Sequence, residues 1–357
     1  MQVFEVQKSD ITNGHLHDAP SEHLPEGGVR LRLRNFALTA NNVTYAATGD
    51  AIGYWSFFPT PTPAAGRVPV WGIAEVVETA TEIPVGERVF GFFPMAEEMI
   101  AQPGRIRERA WTDAASHRAA LPAVYNEYFR LAAIPSHEPA LDDLMGLLYP
   151  LYATSFVLAD YLSDNDWFGA EQIVVASASS KTAIGMMQLI AEMPGAPAIT
   201  ALTSSRNVTF VEGLGVADKV LTYTSIGEKL PKRPSVYVDM SGNVEVRRAV
   251  HETLMQSLAK SIAVGLSHWD KFEQGVELPG PQAEFFFAPA QVKKRREEWG
   301  PGVVEGKIMA AWHRLASTRT DWLHMVPHQG LDAAATVYTD LAAGRTDPSE
   351  GHVVTLS

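Results

Sequence analysis

The feature that most constrains the fold is an alternation of short apolar runs with helical segments in the middle of the chain. Apolar runs such as EQIVVASA, PAITALTSS and SVYVDMSGN alternate with segments of helical spacing such as KTAIGMMQLIAEM and VEVRRAVHETLMQSL. Strands that alternate with helices at this interval form a parallel sheet with crossover helices. The strands are apolar on both faces, as in sheets covered on both sides. The pattern predicts a doubly wound α/β domain over residues 151–290, with a last strand in AKSIAVGLS, Ala259–Ser267.

The first third of the chain has the pattern of strands and turns instead. Apolar and polar residues alternate from Val29 to Leu38, which is the period of a half-buried strand. Two further strand candidates, VWGIAEVVETA and GERVFGFFPM, are separated by turn residues around Pro84 and Gly86. A terminal strand, HVVTL, could rejoin this sheet. We therefore predict a β-rich domain made of residues 1–150 and about 330–357, and a helical segment over 291–330 that the pattern assigns to neither domain.

The charge balance and the lack of cysteine exclude several classes of function. Lys and Arg number 29 against 41 Asp and Glu, a formal net charge of −12, which argues against general affinity for nucleic acid or anionic membrane. The basic cluster KKRREEW is better explained as a solvated helix face. Without cysteine, disulfides, thiolate nucleophiles and thiolate metal sites are excluded. No apolar run approaches the roughly 20 residues of a membrane helix and no signal peptide is visible, so we expect a cytoplasmic protein.

Several landmarks occur in an order that resembles a known superfamily. They are RNFALTANNVTYAATGD, WGIAEVVETATEIPVGERVFGFFP, LYATSFVLADYL, IVVASASSKTAIGMMQLI, ITALTSSRNVTFVEGLGVADKVLTY, VYVDMSGN and GHVVTL. The set resembles the medium-chain dehydrogenase/reductase superfamily on its zinc-free, quinone-oxidoreductase-like side, and is most similar to a bacterial branch of unknown function. The resemblance covers about Val29 to Leu266 and the last twenty or so residues.

The resemblance implies both an architecture and an assembly. It implies an N-terminal domain built on a distorted β-barrel (GroES-like), a Rossmann-type doubly wound dinucleotide-binding domain, and an active cleft between the two. Family members commonly dimerise through the edge of the sheet, so a homodimer is expected. The stretch AEFFFAP could provide that edge strand.

The stretch IVVASASSKTAIGMMQLIAE has the strand–turn–helix layout that holds a phosphate. A dinucleotide needs a tight turn, usually glycine-rich, so that its pyrophosphate reaches N–H groups at a helix N-terminus. Here the turn carries hydroxyls and one lysine, and we predict that these residues contact the pyrophosphate: Ser177, Ser179, Ser180, Lys181 and Thr182. A degenerate turn that has lost its ligand stays an alternative. A P-loop is a weaker one, because the glycines of that pattern are missing.

The end of the second strand of this domain discriminates between NAD and NADP. An acid there would bind the ribose 2′-OH and repel a 2′-phosphate, but the chain has LTSSRN. Ser204, Ser205 and Arg206 offer hydroxyls and a fixed cation to a phosphate, so we predict NADP(H) as the cofactor. A polar loop with a surface arginine is the alternative.

Further cofactor contacts follow from the resemblance and from strand ends. The resemblance places Tyr223 near the 2′-phosphate and Thr154 near the nicotinamide. Four residues that follow later strands are expected to face the cofactor, although each could equally be a plain turn residue: Ser241, Gly242, Asn243 and Gly265.

No catalytic metal is expected, and the catalytic residues follow from that. His15 and His17 are close together, but we expect them to lie in a polar N-terminal arm. The segment HETLM begins like the zinc-binding motif H-E-x-x-H, but its last residue is Met255 where the motif needs histidine. The substrate oxygen must then be polarised by hydrogen bonds or protonated. The resemblance points to Asn42 and, in place of the usual acid, Tyr45. Tyr54 is the reserve proton donor. Packing of these aromatic residues in the core is the alternative.

Together these features predict an NADPH-dependent, zinc-free oxidoreductase. It would transfer hydride to an activated C=C or C=O of a small apolar substrate, such as a quinone, an enone or an enoyl thioester. The alternative is a nucleotide-binding protein without turnover, serving as an NADPH sensor or scaffold.

Overall fold

A computed structural model describes residues 1–134, 137–265, 277–318 and 320–356, and the chain divides into two compact units. One unit comprises Met1–Pro150 and Leu323–Ser357, and the other comprises Leu151–Trp322. The first unit is therefore discontinuous in sequence, because the C-terminal segment returns to it.

The N-terminal unit is built mainly on antiparallel strands. Numbered in chain order, its strands are β1 (Gln2–Gln7), β2 (Asp10–Asp18), β3 (Val29–Leu38), β4 (Ala65–Arg67), β5 (Pro69–Thr79), β6 (Arg88–Pro94), β7 (Glu98–Ala101), β8 (Pro103–Gly104), β9 (Ala110–Asp113), β10 (Glu127–Arg130), β17 (His324–Gln329) and β18 (Glu350–Thr355). Its helices are α1 (Ala40–Ala47), α2 (Gly49–Ile52) and α10 (Gly330–Ala342), and α3 (Asp142–Asp164) begins in this unit.

Two sheets organise these strands. The smaller has the order β2-β1-β4, and the larger has the order β17-β18-β3-β5-β6-β10-β9-β8, with β7 also paired to β3. The strand β18 joins β3 in antiparallel register, with His352 opposite Leu38. In β3 the residues Leu31 and Leu33 are fully buried while Arg32 between them is exposed, because alternate side chains of a strand point to opposite faces.

The second unit contains a parallel sheet. Its strands are β11 (Gln172–Ala176), β12 (Ala198–Thr203), β13 (Lys219–Thr222), β14 (Ser235–Asp239), β15 (Leu258–Ala263) and β16 (Ala283–Phe285). Its helices are α4 (Lys181–Ala191), α5 (Val208–Gly213), α6 (Ile226–Lys229), α7 (Val244–Leu254), α8 (Ala288–Trp299) and α9 (Val303–Thr318). The order β13-β12-β11-β14-β15-β16, with parallel pairing throughout, is the Rossmann order. The predicted Rossmann-type sheet is confirmed.

A core of this unit joins the central strands to α7. The strand residues Val174, Leu202 and Tyr237 pack with Val250 and Leu254 of the helix, and all of them are buried. The apolar runs of the sequence therefore form the interior of the sheet, and their polar ends are left at its carboxyl edge. Residues Leu266 and Ser267 of the predicted last strand lie outside the described residues.

The structure adds detail to two local predictions. The polar N-terminal arm that contains His15 and His17 is the regular strand β2, because this segment pairs with β1. The cluster KKRREEW is only partly solvated. In α8 the Lys293 side chain is exposed, but Arg295 is buried because its guanidinium pairs with Asp160 at 2.7 Å and with Asp164 at 2.9 Å. None of the helices among the described residues combines the length and the apolar character that crossing a membrane requires.

Candidate functional site

The carboxyl ends of β11, β12, β13 and β14 bring together most of the predicted cofactor residues. These strands are neighbours in one parallel sheet, so their carboxyl ends share an edge. The chain leaves β11 towards β12 on one side, while β14 lies on the other side of β11. In doubly wound sheets this reversal of strand order opens the crevice in which ligands bind.

The turn after β11 has the conformation of a glycine turn without containing a glycine. Ser177 has a φ of 52°, in the left-handed region that non-glycine residues enter at a cost of about 1 kcal/mol. Its backbone N–H donates to the hydroxyl of Tyr223 at 3.2 Å, and its carbonyl accepts from Ser180 N at 2.9 Å. The helix α4 begins directly after this turn, and Ser180 caps it by accepting from Ala183 N at 3.4 Å.

The start of α4 is held against α3. The hydroxyl of Ser155, which is buried, donates to the carbonyl of Thr182 at 2.7 Å. A Cβ on Gly185 would lie 2.8 Å from that hydroxyl oxygen, so glycine is required for this close approach. Thr154 lies beside Ser155 on α3 and is half-buried, and Lys181 is half-buried at the first position of α4.

The turn after β12 is linked to the turn after β11. Asn207 donates from its side-chain amide to Ser179 Oγ at 3.0 Å. Ser205 and Arg206 are exposed in the short turn Ser205–Asn207. The hydroxyls of Thr203 and Ser204 are buried and have no hydrogen-bond partner among the described residues. A buried hydroxyl without a partner is costly, so this turn offers polar groups that a ligand or water can satisfy.

Tyr223 supports the turn after β11 through its hydroxyl. It follows β13 directly, and its oxygen accepts from the backbone of Ser177. Burial raises the pKa of Tyr223 to about 12, so the phenol stays neutral at physiological pH. The structure thus gives Tyr223 a role in fixing the turn, and its predicted contact with a 2′-phosphate stays a prediction.

The turn after β14 is built on a carboxylate that the sequence analysis missed. Asp239 is fully buried, and its Oδ1 accepts from Ser241 N at 2.9 Å, Ser241 Oγ at 2.6 Å and Gly242 N at 3.0 Å. Its Oδ2 accepts from Arg247 Nε at 3.0 Å. Asp side chains in turns commonly accept from the backbone N–H two residues on, so the Asp before Ser, Gly and Asn in DMSGN is a signal that could have identified it.

The other predicted residues of this edge have structural partners. Asn243 caps α7, because its Oδ1 accepts from Glu245 N at 2.9 Å and Val246 N at 3.3 Å. Gly265 follows β15, where a Cβ would lie 3.0 Å from the carbonyl oxygen of Met240. Both positions therefore fit the alternative of turn residues, and their contact with a cofactor stays a prediction.

The predicted catalytic residues lie in the N-terminal unit, where Asn42 has a structural role. Asn42 is buried on α1, and its Oδ1 accepts from Thr39 N at 2.8 Å as part of a capping box. Its Nδ2 donates to the carbonyl of Pro69 at 2.8 Å. The amide thus ties the start of α1 to the start of β5.

Tyr45 and Tyr54 belong to a buried aromatic cluster, defined here with Tyr125, Trp71 and Phe92. The rings of Tyr45 and Tyr54 are 4.6 Å apart, and the rings of Phe92 and Tyr125 are 4.9 Å apart. Tyr45 Oη accepts from Trp71 Nε1 at 3.0 Å, and the hydroxyls of Tyr54 and Tyr125 are 2.9 Å apart. Tyr125 escaped the sequence analysis, because its segment showed no pattern that joins it to the others.

Burial sets the protonation of this cluster. It raises the pKa of Tyr45, Tyr54 and Tyr125 above the ordinary value, and the electrostatic effect of a neighbouring phenol raises each further, although the hydrogen bond with Tyr125 partly lowers the pKa of Tyr54. The three hydroxyls therefore stay neutral, as hydrogen-bond donors and acceptors, at any physiological pH. The structure brings two predicted catalytic tyrosines together and adds a third to them.

Comparison with known proteins gives a family match and a fold. The family model described as "Protein of unknown function (DUF2855)" matches residues 36–347. None of the curated proteins matches the chain. Among solved structures, the chain is similar to CurA from Vibrio vulnificus in complex with NADPH, with a TM-score of 0.65, 14% identity, and coverage of 100% of this chain and 99% of that chain.

Two further solved structures agree. A complex of Etr1p with NADP and crotonyl-CoA has a TM-score of 0.60 and 11% identity, covering 99% of each chain. The yhdH oxidoreductase from Salmonella enterica, crystallised with NADP, has a TM-score of 0.56 and 13% identity, covering 100% of each chain. These likenesses confirm the predicted fold class, a Rossmann-type sheet with an N-terminal GroES-like domain.

Proposed function

The chain belongs to the DUF2855 family, whose function is unknown, and from its fold and site we propose that it is an NADPH-dependent, zinc-independent oxidoreductase. One observation carries the proposal: the carboxyl edge of the parallel sheet has a tight turn with a left-handed Ser177 before α4, and the turn after β12 contains Arg206 and no acid. The substrate is a small apolar molecule with an activated C=C or C=O. A net charge of −12 favours such a substrate over nucleic acid.

The residues of the sheet edge fit the pyrophosphate of a dinucleotide. The N-terminus of α4 presents backbone N–H groups and the positive end of the helix dipole. The left-handed Ser177 turns the chain sharply enough for the helix to begin four residues later at Lys181. Lys181 adds a cation in that first turn. The usual glycines of this turn are replaced by serines, whose side chains are small.

The residues after β12 fit a 2′-phosphate. Arg206 is exposed beside Ser205, and the hydroxyl of Ser204 lacks a partner among the described residues. A guanidinium with hydroxyl donors is well suited to phosphate, whereas an acid would exclude it. The expected cofactor agrees with the similar structures described above, which hold NADPH or NADP.

When bound, NADPH supplies a hydride to the substrate carbon, and the chain's own residues must orient the substrate and supply a proton. The aromatic cluster has neutral phenols that can donate hydrogen bonds to a developing oxyanion. Tyr45 and Tyr54 are the proposed donors, and the hydroxyl of Tyr125 positions that of Tyr54 through a hydrogen bond. One similar structure contains crotonyl-CoA, an enoyl thioester, which supports that substrate class besides quinones and enones.

Turnover is tested by NADPH oxidation against a panel of a quinone, an enone and crotonyl-CoA. The proposal expects oxidation with at least one of them, and a reduced rate in Tyr45→Phe or Tyr54→Phe. Equal turnover in wild type and both variants would show that neither phenol takes part. The substrate-independent control is the folding of each variant, measured by circular dichroism.

A second function has one observation in its favour. Both polar atoms of the Asn42 side chain already have hydrogen-bond partners. The hydroxyls of Tyr45 and Tyr54 are likewise already hydrogen-bonded in the core, to Trp71 and Tyr125. A protein with such a core can bind NADPH without turnover and act as a sensor or scaffold. Saturable NADPH binding with no oxidation on any member of the panel would favour this second function.

The assembly we propose is a homodimer formed through β16. This strand is at the edge of the parallel sheet, and Phe285 is 57% exposed. An exposed edge strand offers unpaired backbone groups to another chain. Light scattering after size-exclusion chromatography should give a dimer that Phe285→Lys weakens. A wild-type monomer would refute this assembly.

A further inference from the structure

The hairpin of β1 and β2 places three metal-binding side chain types together. Glu5 on β1 lies directly opposite His15 on β2. His17 is two residues further along β2, so it shares a face of the strand with His15. The side chains of Glu5, His15 and His17 can each place a ligand atom so that all three atoms lie within 4.8 Å of one another.

We propose that Glu5, His15 and His17 form a binding site for a single divalent zinc ion on this hairpin. The carboxylate oxygen Oε2 of Glu5 is 3.2 Å from His17 Nε2. Two ligand atoms of a tetrahedral zinc ion are about 3.3 Å apart, because each lies about 2.0–2.2 Å from the metal. This pair is therefore already at the spacing that zinc requires, and a ring nitrogen of His15 lies within 4.8 Å of both atoms.

The donor set suits zinc better than a hard cation. Two imidazole nitrogens and one carboxylate oxygen are ligands that zinc accepts in tetrahedral sites, whereas calcium and magnesium prefer oxygen alone. His15 is exposed and the His17 side chain is 35% exposed. Solvent can thus reach the hairpin face, and water can complete the coordination.

The surroundings of Glu5 hold its carboxylate in place for a metal. Its side chain is 4% exposed, and Oε1 accepts from Arg67 Nε at 3.0 Å. Ligating carboxylates are commonly fixed by such outer partners. Arg67 occupies the oxygen turned away from His17, so Oε2 is the ligand atom.

The proposed site is a structural clip and not part of hydride transfer. It lies on the sheet of order β2-β1-β4, in which β2 is an edge strand. Its ligands come from the edge strand and from the strand beside it, so a bound ion would fasten the edge to the sheet. This revises the expectation of no metal for the hairpin alone, and leaves the proposed zinc-independent chemistry unchanged.

The alternative is an ordinary ion pair between Glu5 and His17, and direct metal titration separates the two. The full-length chain, freed of any affinity tag and of metal by EDTA and dialysis, is titrated with ZnCl₂ by isothermal calorimetry. We expect saturable binding with a stoichiometry of one, and a rise of the melting temperature with zinc. His15→Ala and His17→Ala should each weaken binding at least tenfold.

The matched control is His23→Ala, an exposed histidine of the same unit outside the cluster, which should bind zinc like wild type. Glu5→Gln is a weaker test because it also breaks the pair with Arg67, so the two histidine variants decide. Tetrahedral absorption bands with Co²⁺ provide a second readout. Absence of saturable zinc binding, or equal binding by wild type and both histidine variants, would overturn the proposal.

Discussion

The turn after β14 depends on one buried ion pair, and removing its negative charge should destabilise the second unit strongly. In Asp239→Asn the size and Oδ1 are kept, so the three hydrogen bonds from Ser241 and Gly242 can persist. The change places an NH₂ group where Oδ2 now faces Arg247, whose Nε and Nη2 are each 3.0 Å away. The guanidinium is left buried and without its counter-charge.

The magnitude follows from that burial. Asp239 is fully buried and the Arg247 side chain is 10% exposed. Breaking such a pair from one side costs about 3–5 kcal/mol, which lowers the ratio of folded to unfolded chain about a hundredfold or more. The loss should be measured by urea unfolding followed by circular dichroism. Hydrogen exchange of the α7 amides should localise it.

Two further variants make the test specific. Asp340→Asn breaks an exposed ion pair, in which the side chain of Arg345 is 58% exposed and that of Asp340 is 43% exposed. This variant should lower the unfolding free energy by only about 0–1 kcal/mol. The double variant Asp239→Asn/Arg247→Met removes the stranded charge and should recover part of the loss. A loss below about 1 kcal/mol in Asp239→Asn, equal to that of Asp340→Asn, would refute the role of the pair.

Three further predictions test the two units separately. Burial lowers the pKa of His251. The stability that its neutral form contributes is therefore complete above about pH 6.5 and falls as the pH drops towards the lower folded-state pKa. Urea unfolding at a series of pH values should show this loss of unfolding free energy, and His251→Gln should reduce it. Tyr45→Phe leaves Trp71 Nε1 without its acceptor and should lower the unfolding free energy by about 1–3 kcal/mol. In Gly72→Ala the new Cβ would lie 2.2 Å from the carbonyl oxygen of Asn35, so unfolding should become easier by about 3 kcal/mol.

Controls for these predictions come from the same chain. His23→Gln changes an exposed histidine and should leave the pH dependence as it is in wild type. Gly306→Ala places a Cβ in open space on α9 and should stabilise the helix by about 1 kcal/mol. If Gly72→Ala were as stable as Gly306→Ala, the close approach of β5 and β3 would be refuted.

The fold was predictable because its signals are local. About ten residues of sequence are enough to recognise the β-branched runs of β11, β12 and β14 and the helical spacing of α4 and α7. Their alternation fixes a parallel sheet, and the sheet in turn places the turns at one edge. The turn at Ser177 was identified by that context although its glycines are missing.

The candidate site was only partly predictable because its contacts are long-range. Asp239 and Arg247 are eight residues apart and meet only when α7 packs on the sheet. Tyr125 reaches Tyr54 across 71 residues of sequence. The proposed zinc site depends on the pairing of β1 with β2, which brings Glu5 opposite His15. Sequence spacing alone gives no sign of such neighbours.

Equilibrium binding of NADPH and NADH, followed by fluorescence or calorimetry, tests the central claim most directly. We expect saturable NADPH binding that is at least tenfold tighter than NADH binding. Arg206→Ala should weaken NADPH alone, while Lys181→Ala should weaken both cofactors because it removes a cation from the pyrophosphate turn. Equal or tighter binding of NADH, or NADPH affinity that neither variant changes, would contradict it.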